Sequence, residues 1–272
     1  MSTDVTNIEE SFNVPKIIPE YENEVRHPFF DPYRAEIAGF SRKAMAIASK
    51  IFTLFSIILE LPPSYFADRH EYDSPSEDHL RYMTYHPRSA ADDAKVQNTW
   101  SRAHTDFGSL TLLWNQNVAG LQIKTAATGQ WKYVPPVPGA GAGGDDDNAG
   151  TAIICNVGDT LSFWSAGYLK STTHRVVRPP EDQTGADRLG LFYFVRPGDD
   201  VDIKPVASPL LKRLGLVSTS DKPGGGEGDR PKITGRQYVR ERVKNYHNHG
   251  DYADMKGKKF QIGGLEIEDE AA

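Results

Sequence analysis

Between about residues 80 and 197, short β-branched and aromatic runs alternate with turn residues, and no helix-length stretch separates them. The runs fall at 110–114, 119–124, 131–134, 152–156, 161–164, 172–178 and 189–196. Asn115-Gln116-Asn117, Thr128-Gly129, Asn156-Val157-Gly158-Asp159 and Pro179-Pro180 punctuate them. Strands this short and this closely spaced predict an antiparallel sandwich or jelly roll, not a doubly wound sheet.

Helical texture flanks this block. Ile37, Phe40, Ala44, Ile47, Ile51, Leu54 and Ile58 recur in steps of three and four, which predicts one amphipathic helix over residues 31–61. Asp31 is placed to cap it, with Pro32 at its first position and Pro62-Pro63 as its stop. Helical composition returns at 206–214 and 236–247, and 251–272 reads as a loosely ordered tail. The chain therefore divides into a helical support region (1–79), a β domain (80–200), C-terminal helices (201–250) and the tail. The glycine-rich stretch 139–150 carries Asp145-Asp146-Asp147, which would repel a phosphate, and lacks helix-loop-helix calcium spacing. It reads as a loop.

Charge and targeting narrow the function. The 272 residues carry 31 basic and 37 acidic side chains, a net charge of −6, which disfavours duplex nucleic acid as a partner. Cys155 is the sole cysteine, so no intramolecular disulfide forms. The apolar run 51–59 is far short of the ~20 residues a membrane span needs. Residues 1–10 lack a basic and apolar leader pattern. The expectation is a cytoplasmic protein with no membrane and no nucleic-acid partner.

Two of the eight histidines stand out. His104-Thr105-Asp106 puts an imidazole and a carboxylate two positions apart, on one side of an extended chain. His174, inside a β-branched run, lies far enough along the chain to return across a barrel. Two histidines and one carboxylate are the donor set of a non-haem Fe(II) site, although an H-x-D tripeptide alone also arises by chance. Arg188 opens the most apolar strand, where a charge needs an anionic partner. Two readings stay open: a dicarboxylate ligand held by the guanidinium fork, or an ion pair with Asp182, Asp187 or a distant acid.

Together, His104-x-Asp106, Asn156-Val157-Gly158-Asp159, His174-Arg175-Val176 and Arg188-x-Gly190 resemble the Fe(II)/2-oxoglutarate-dependent dioxygenases of the isopenicillin N synthase-like superfamily. The stretches 104–111 and 120–122 and the segment Val239-Arg240-Glu241-Arg242-Val243 look like its fungal members. The resemblance implies a double-stranded β-helix, a jelly roll of mainly β structure with flanking helices. It implies that His104, Asp106 and His174 ligate Fe(II) and that Arg188 pairs with the distal carboxylate of 2-oxoglutarate. Tyr85 matches a tyrosine that helps hold this cosubstrate. It further implies a dioxygenase that uses O2, with ascorbate as accessory reductant. The reaction would hydroxylate, desaturate or rearrange a small molecule of fungal secondary metabolism.

The pattern is broken in three places. Gly190 stands where the family carries serine, and Met83 where many plant members carry asparagine. The family's strand–helix–strand module ahead of the long helix is expected to be missing, a truncated cap that leaves a bare sheet edge. Two further readings keep the metal residues: an Fe(II) oxidase that does not use 2-oxoglutarate, and an inactive homologue with a binding role. A zinc hydrolase ranks last, since it gives Arg188 no task. Phe107, Trp114, Trp164, Phe192 and Phe194 are the aromatic candidates for a substrate pocket.

Overall fold

A computed structural model describes residues 8–24, 27–114, 117–135, 152–217, 233–247, 259–262 and 265–268. The glycine-rich stretches at 139–150 and 222–229 lie outside these residues. Two antiparallel sheets face each other. The larger is built from β1 (Glu9–Pro15), β2 (His79–Tyr85), β4 (Leu110–Trp114), β7 (Ile153–Val157) and β9 (Arg188–Val195), in the order β1-β2-β9-β4-β7. The smaller holds β3 (Thr99–His104), β5 (Leu121–Lys124), β6 (Trp131–Tyr133) and β8 (His174–Val177), in the order β3-β8-β5-β6. These neighbours, far apart in the chain, make the expected jelly roll.

Period-two alternation gives the larger sheet its two faces. Along β9, Tyr193 and Val195 are fully buried against the helical layer, while Arg188, Phe192 and Phe194 face the space between the sheets. The helical layer is chiefly α1 (Arg34–Ile58), entered through a 3-10 turn at Pro28–Tyr33. Pro32 lies inside that turn, and Tyr33, not Asp31, occupies the cap position of α1. The buried face of α1 is also rotated from the expected stripe. Ile37, Ser41, Ala44, Met45, Ala48, Phe52 and Ser56 are buried, while Leu54 and Ile58 are exposed. Ser41 and Ser56 can occupy it because small side chains let the helix approach the sheet. Ser56 also bonds back to the Phe52 carbonyl at 2.8 Å and accepts from the Phe66 N–H at 3.2 Å.

Two further expectations need correction. Residues 161–164 belong to α3 (Asp159–Trp164), which begins after Gly158 and buries Thr160, Leu161 and Trp164. Short runs of alternating size fit a single helical turn as well as a strand. A strand does precede the long helix: β1 pairs with β2 from Glu9↔Tyr85 to Pro15↔His79 and covers the edge expected to be bare. Within the tail, β10 (Lys259–Ile262) and β11 (Leu265–Glu268) form an antiparallel hairpin. A short α2 (Ala90–Lys95), α4 (Pro209–Arg213) and α5 (Gly235–His247) complete the described elements. No helix among the described residues is long and apolar enough to cross a membrane.

Lys16, 1% exposed, fastens the end of β1. Its ammonium donates to Ser76 Oγ at 2.6 Å and to the Ser74 carbonyl, and lies 3.6 Å from Asp78 Oδ2. Asp78 Oδ1 accepts from the Arg196 backbone N–H at 2.5 Å, which ties this corner to the end of β9.

Candidate active site

His104 ends β3 and His174 begins β8, and the two are direct cross-strand partners. The β3–β8 ladder changes register between Ser101 and His104, so pairing resumes at the two histidines. Their ring centroids lie 4.4 Å apart. Asp106 follows in the turn between β3 and β4. Its Oδ1 is 3.8 Å from each histidine Nε2, and the three donor atoms lie within 4.8 Å of one another.

The orientation of each group is fixed by its outer partners. His104 Nδ1 is 2.8 Å from the Arg102 carbonyl and His174 Nδ1 is 3.0 Å from the Thr172 carbonyl. Each Nδ1–H therefore donates to a carbonyl, and each Nε2 turns its lone pair to the centre. Asp106 Oδ2 accepts from Thr111 Oγ1 at 2.6 Å and from Asn156 Nδ2 at 2.7 Å. Oδ1 is left for the centre. Burial holds the His104 pKa down to about 4, reinforced by His174 and opposed by Asp106, so its imidazole is neutral at neutral pH. Burial alone would raise Asp106. The two histidines and the bonds from Asn156 and Thr111 outweigh it and hold the carboxyl below its ordinary range.

Close backbone contacts seat the Asp106 turn. The Asp159 N–H donates to the Asp106 carbonyl at 2.8 Å, and the Thr160 N–H to the Gly108 carbonyl at 3.1 Å. A Cβ at Gly158 would lie 2.2 Å from the Gly108 carbonyl oxygen, so only glycine fits that approach. Arg242 of α5 grips the same region. It donates to Asp159 Oδ2 at 2.7 Å and stacks over Phe107 at 4.6 Å, which gives the Val239–Val243 segment its place.

The triad opens into a cavity between the sheets, enclosing about 820 Å³ of empty space, part of it open to solvent. Tyr85, Met83, Thr111, Asn156, Arg188 and Phe192 line it together with His104, Asp106 and His174. Arg188 is 3% exposed, and its Nε and Nη1 have no hydrogen-bond partner. No ion pair to Asp182 or Asp187 forms; Asp187 pairs with His86 at 3.1 Å. Tyr85 is the cross-strand partner of Arg188, and its ring lies 5.6 Å from the guanidinium carbon. Its hydroxyl, bonded to Ser101, is pushed up to about 12, mainly by burial. At Gly190, a Cβ would meet the Phe192 ring edge at 2.4 Å, so that ring takes the space a serine would need.

The aromatic candidates divide. Phe192 and Phe194 line the cavity, and Phe107 lines an adjoining cleft. Trp114 packs on Phe40 at 4.6 Å and Trp164 on Phe66 at 5.6 Å, both on the helical side of the larger sheet. Period-two reading cannot choose between faces when both are buried. Thr111 and Asn156 bond Asp106 from 5 and 50 residues away. The Asn-Val-Gly-Asp run flags Asn156 without revealing that partner.

Two imidazoles, one carboxylate and a buried unpaired guanidinium in one cavity suit iron with a dicarboxylate cosubstrate. Comparison with known proteins points the same way. Residues 77–197 match the family described as the 2OG-Fe(II) oxygenase superfamily. The 2-oxoglutarate-dependent dioxygenase citB of Monascus ruber is 27% identical over 216 residues, 79% of this chain and 56% of its own length. The proline hydroxylase buaE of Petromyces alliaceus is 30% identical over 180 residues, 65% of this chain and 52% of its own. The chain thus spans about half the length of these curated relatives. A full-length Neurospora crassa protein, crystallised in complex with alpha-KG, shares the fold. Its TM-score is 0.67 at 22% identity, covering 88% of this chain and 70% of that one.

Proposed function

We propose that this chain, whose residues 77–197 match the 2OG-Fe(II) oxygenase superfamily, belongs to it and oxidises a small organic molecule with O2, Fe(II) and 2-oxoglutarate. The observation that carries this reading is the unpaired Arg188 guanidinium in the cavity that the metal-type triad enters. His104, Asp106 and His174 would hold the iron, and when bound it would supply the oxidising chemistry, coupled to decarboxylation of 2-oxoglutarate. Arg188 would pair with the far carboxylate of 2-oxoglutarate and so fix the direction of its keto-acid end. Tyr85 would flank that carboxylate. Thr111 and Asn156 keep Asp106 Oδ2 occupied, so the carboxylate presents one oxygen in one orientation. Phe192 and Phe194 give the space between the sheets an apolar lining. The substrate belongs to small-molecule, secondary-metabolite chemistry on this reading. The protein works in the reducing cytoplasm, where exposed Cys155 stays a thiol.

Anaerobic visible spectroscopy of the protein with Fe(II) and 2-oxoglutarate tests this. A charge-transfer band should form on adding 2-oxoglutarate, vanish in His174→Ala and weaken at least tenfold in apparent affinity in Arg188→Ala. Iron binding without the band would favour an oxidase that does without 2-oxoglutarate. A folded protein that binds neither would favour the inactive binding homologue.

A further inference from the structure

A second cleft reaches the triad, and Glu9, Arg81, His104, Asp106 and Phe194 line both it and the Arg188 cavity. Strand β9 joins the two spaces. Arg188, Phe192 and Phe194 alternate onto its inner face, and Arg196 is the next residue of that face, just beyond the strand. Arg196 lies eight positions after Arg188, roughly 26 Å of extended chain. His104 and Asp106 of the triad line both spaces.

Several charges lining the second cleft are already matched. Arg236 pairs with Asp199, Arg240 lies 3.6 Å from Glu77, and Asp78 lies 3.6 Å from Lys16. Arg81 Nε donates to Asn13 Oδ1 at 2.7 Å. Arg196 differs from these. Its Nε is buried without a hydrogen-bond partner, and its guanidinium forms no ion pair among the described residues. Beside it, His79 stacks on Phe194 with centroids 5.0 Å apart. His79 Nδ1 is 3.0 Å from the Glu77 carbonyl, so Nδ1–H donates there and Nε2 carries a lone pair. That Nε2 is also buried and unpartnered. One unmet cationic donor and one unmet neutral acceptor thus line the same cleft beside the triad. Leaving both unpaired is costly, and a ligand carrying the complementary pair would relieve it.

We propose that this cleft binds the acid group of the substrate: a monocarboxylate paired with Arg196, with a neighbouring hydroxyl or amine donating to His79 Nε2. The inference rests on the reading of the preceding subsection and deepens it by naming the substrate class, a 2-hydroxy or 2-amino acid or a molecule that ends in one. Glu77, Asp78 and Asp106 act electrostatically on the Arg196 guanidinium without forming an ion pair with it, which disfavours a dianion such as a phosphate monoester. The substrate acid and the cosubstrate would then be anchored at opposite ends of one strand.

Calorimetric titration tests this with the Fe(II)- and 2-oxoglutarate-loaded protein, under argon, using a panel of small 2-hydroxy and 2-amino acids and their primary amides. At least one acid should bind tenfold or more tightly than its own amide. Arg196→Met should abolish that preference and Arg196→Lys retain part of it, with the 2-oxoglutarate charge-transfer band kept in both. Arg188→Met should weaken the band and leave the acid preference intact. The comparison of acid with amide in the unmodified protein stands whether or not a variant folds. Amides matching their acids across the panel, or an Arg196→Met protein that keeps the preference, would overturn the proposal. An acid preference that depends on Arg196 in a protein showing no 2-oxoglutarate band would support it and count against the preceding reading alone.

Discussion

Asp106 commits one carboxylate oxygen to the protein and keeps the other for the centre, and the stability of that division rests on Thr111 and Asn156. Asn156→Ala should free the carboxylate to rotate and weaken metal binding by about ten- to a hundredfold, measured by anaerobic Fe(II) titration. Unchanged affinity would mean that Thr111 alone suffices. Lys16 poses the opposite case, a buried cation whose function is structural. Lys16→Met would leave the buried Asp78 without its ammonium partner, and should cost about 3–5 kcal/mol in urea unfolding. At this scale the sequence discloses what is local. His104 and Asp106 share a tripeptide, and Arg188 is visible as a charge at the mouth of an apolar strand. Asn156 and Thr111 are ordinary residues until the fold brings them to the same carboxylate, and Lys16 looks like any surface lysine.

Among the elements, α3 shows how a short segment misleads. Residues 161–164 alternate in size as a strand would, but the deciding contacts lie just upstream, where Gly158 and Thr160 bond the Asp106 turn. Longer patterns are safer: β4, β8 and β9 fall within one or two residues of their expected bounds. In α1 the period is legible but the buried face is not, because serine and alanine face the sheet while Leu54, Ile57 and Ile58 face outward. The β1 strand escapes notice because its Phe12 and Val14 sit on an edge, with Phe12 half exposed. Gly158→Ala belongs to this scale. Its methyl would strike the Gly108 carbonyl at 2.2 Å and push the Asp106 turn off α3. The variant should lose Fe(II) binding and melt at lower temperature, whereas Gly185→Ala, which meets nothing within 4 Å, should keep metal binding.

Across the whole molecule, the helical layer and the jelly roll are joined through His70. It stacks on Phe52 of α1 at 4.1 Å, its Nδ1–H donates to the Phe66 carbonyl, and its Nε2 accepts from Ser109 Oγ at 2.7 Å. Burial holds its pKa down to about 3. The unfolded chain therefore binds this proton more readily, and the stability His70 confers is full above about pH 6.5 and lost as pH falls toward 3. This group alone should contribute a slope of up to about 1.4 kcal/mol per pH unit below 6.5. Urea midpoints between pH 7 and 5 measure it, and His70→Gln should flatten the curve. A curve identical in both proteins would show that His70 does not titrate on unfolding.

The pairing of His104 with His174 across β3 and β8 gives a bound ion a second role. An ion held by both would act as a removable crosslink, closing a loop of about seventy residues, with Asp106 as a third attachment. Unlike a disulfide, this link would open and close with the free concentration of iron. Fe(II) at a hundred times its dissociation constant should stabilise the fold by about 2.7 kcal/mol, read as a higher melting temperature that EDTA reverses. Scarcity of the metal would then shorten the lifetime of the folded chain as well as silence its site.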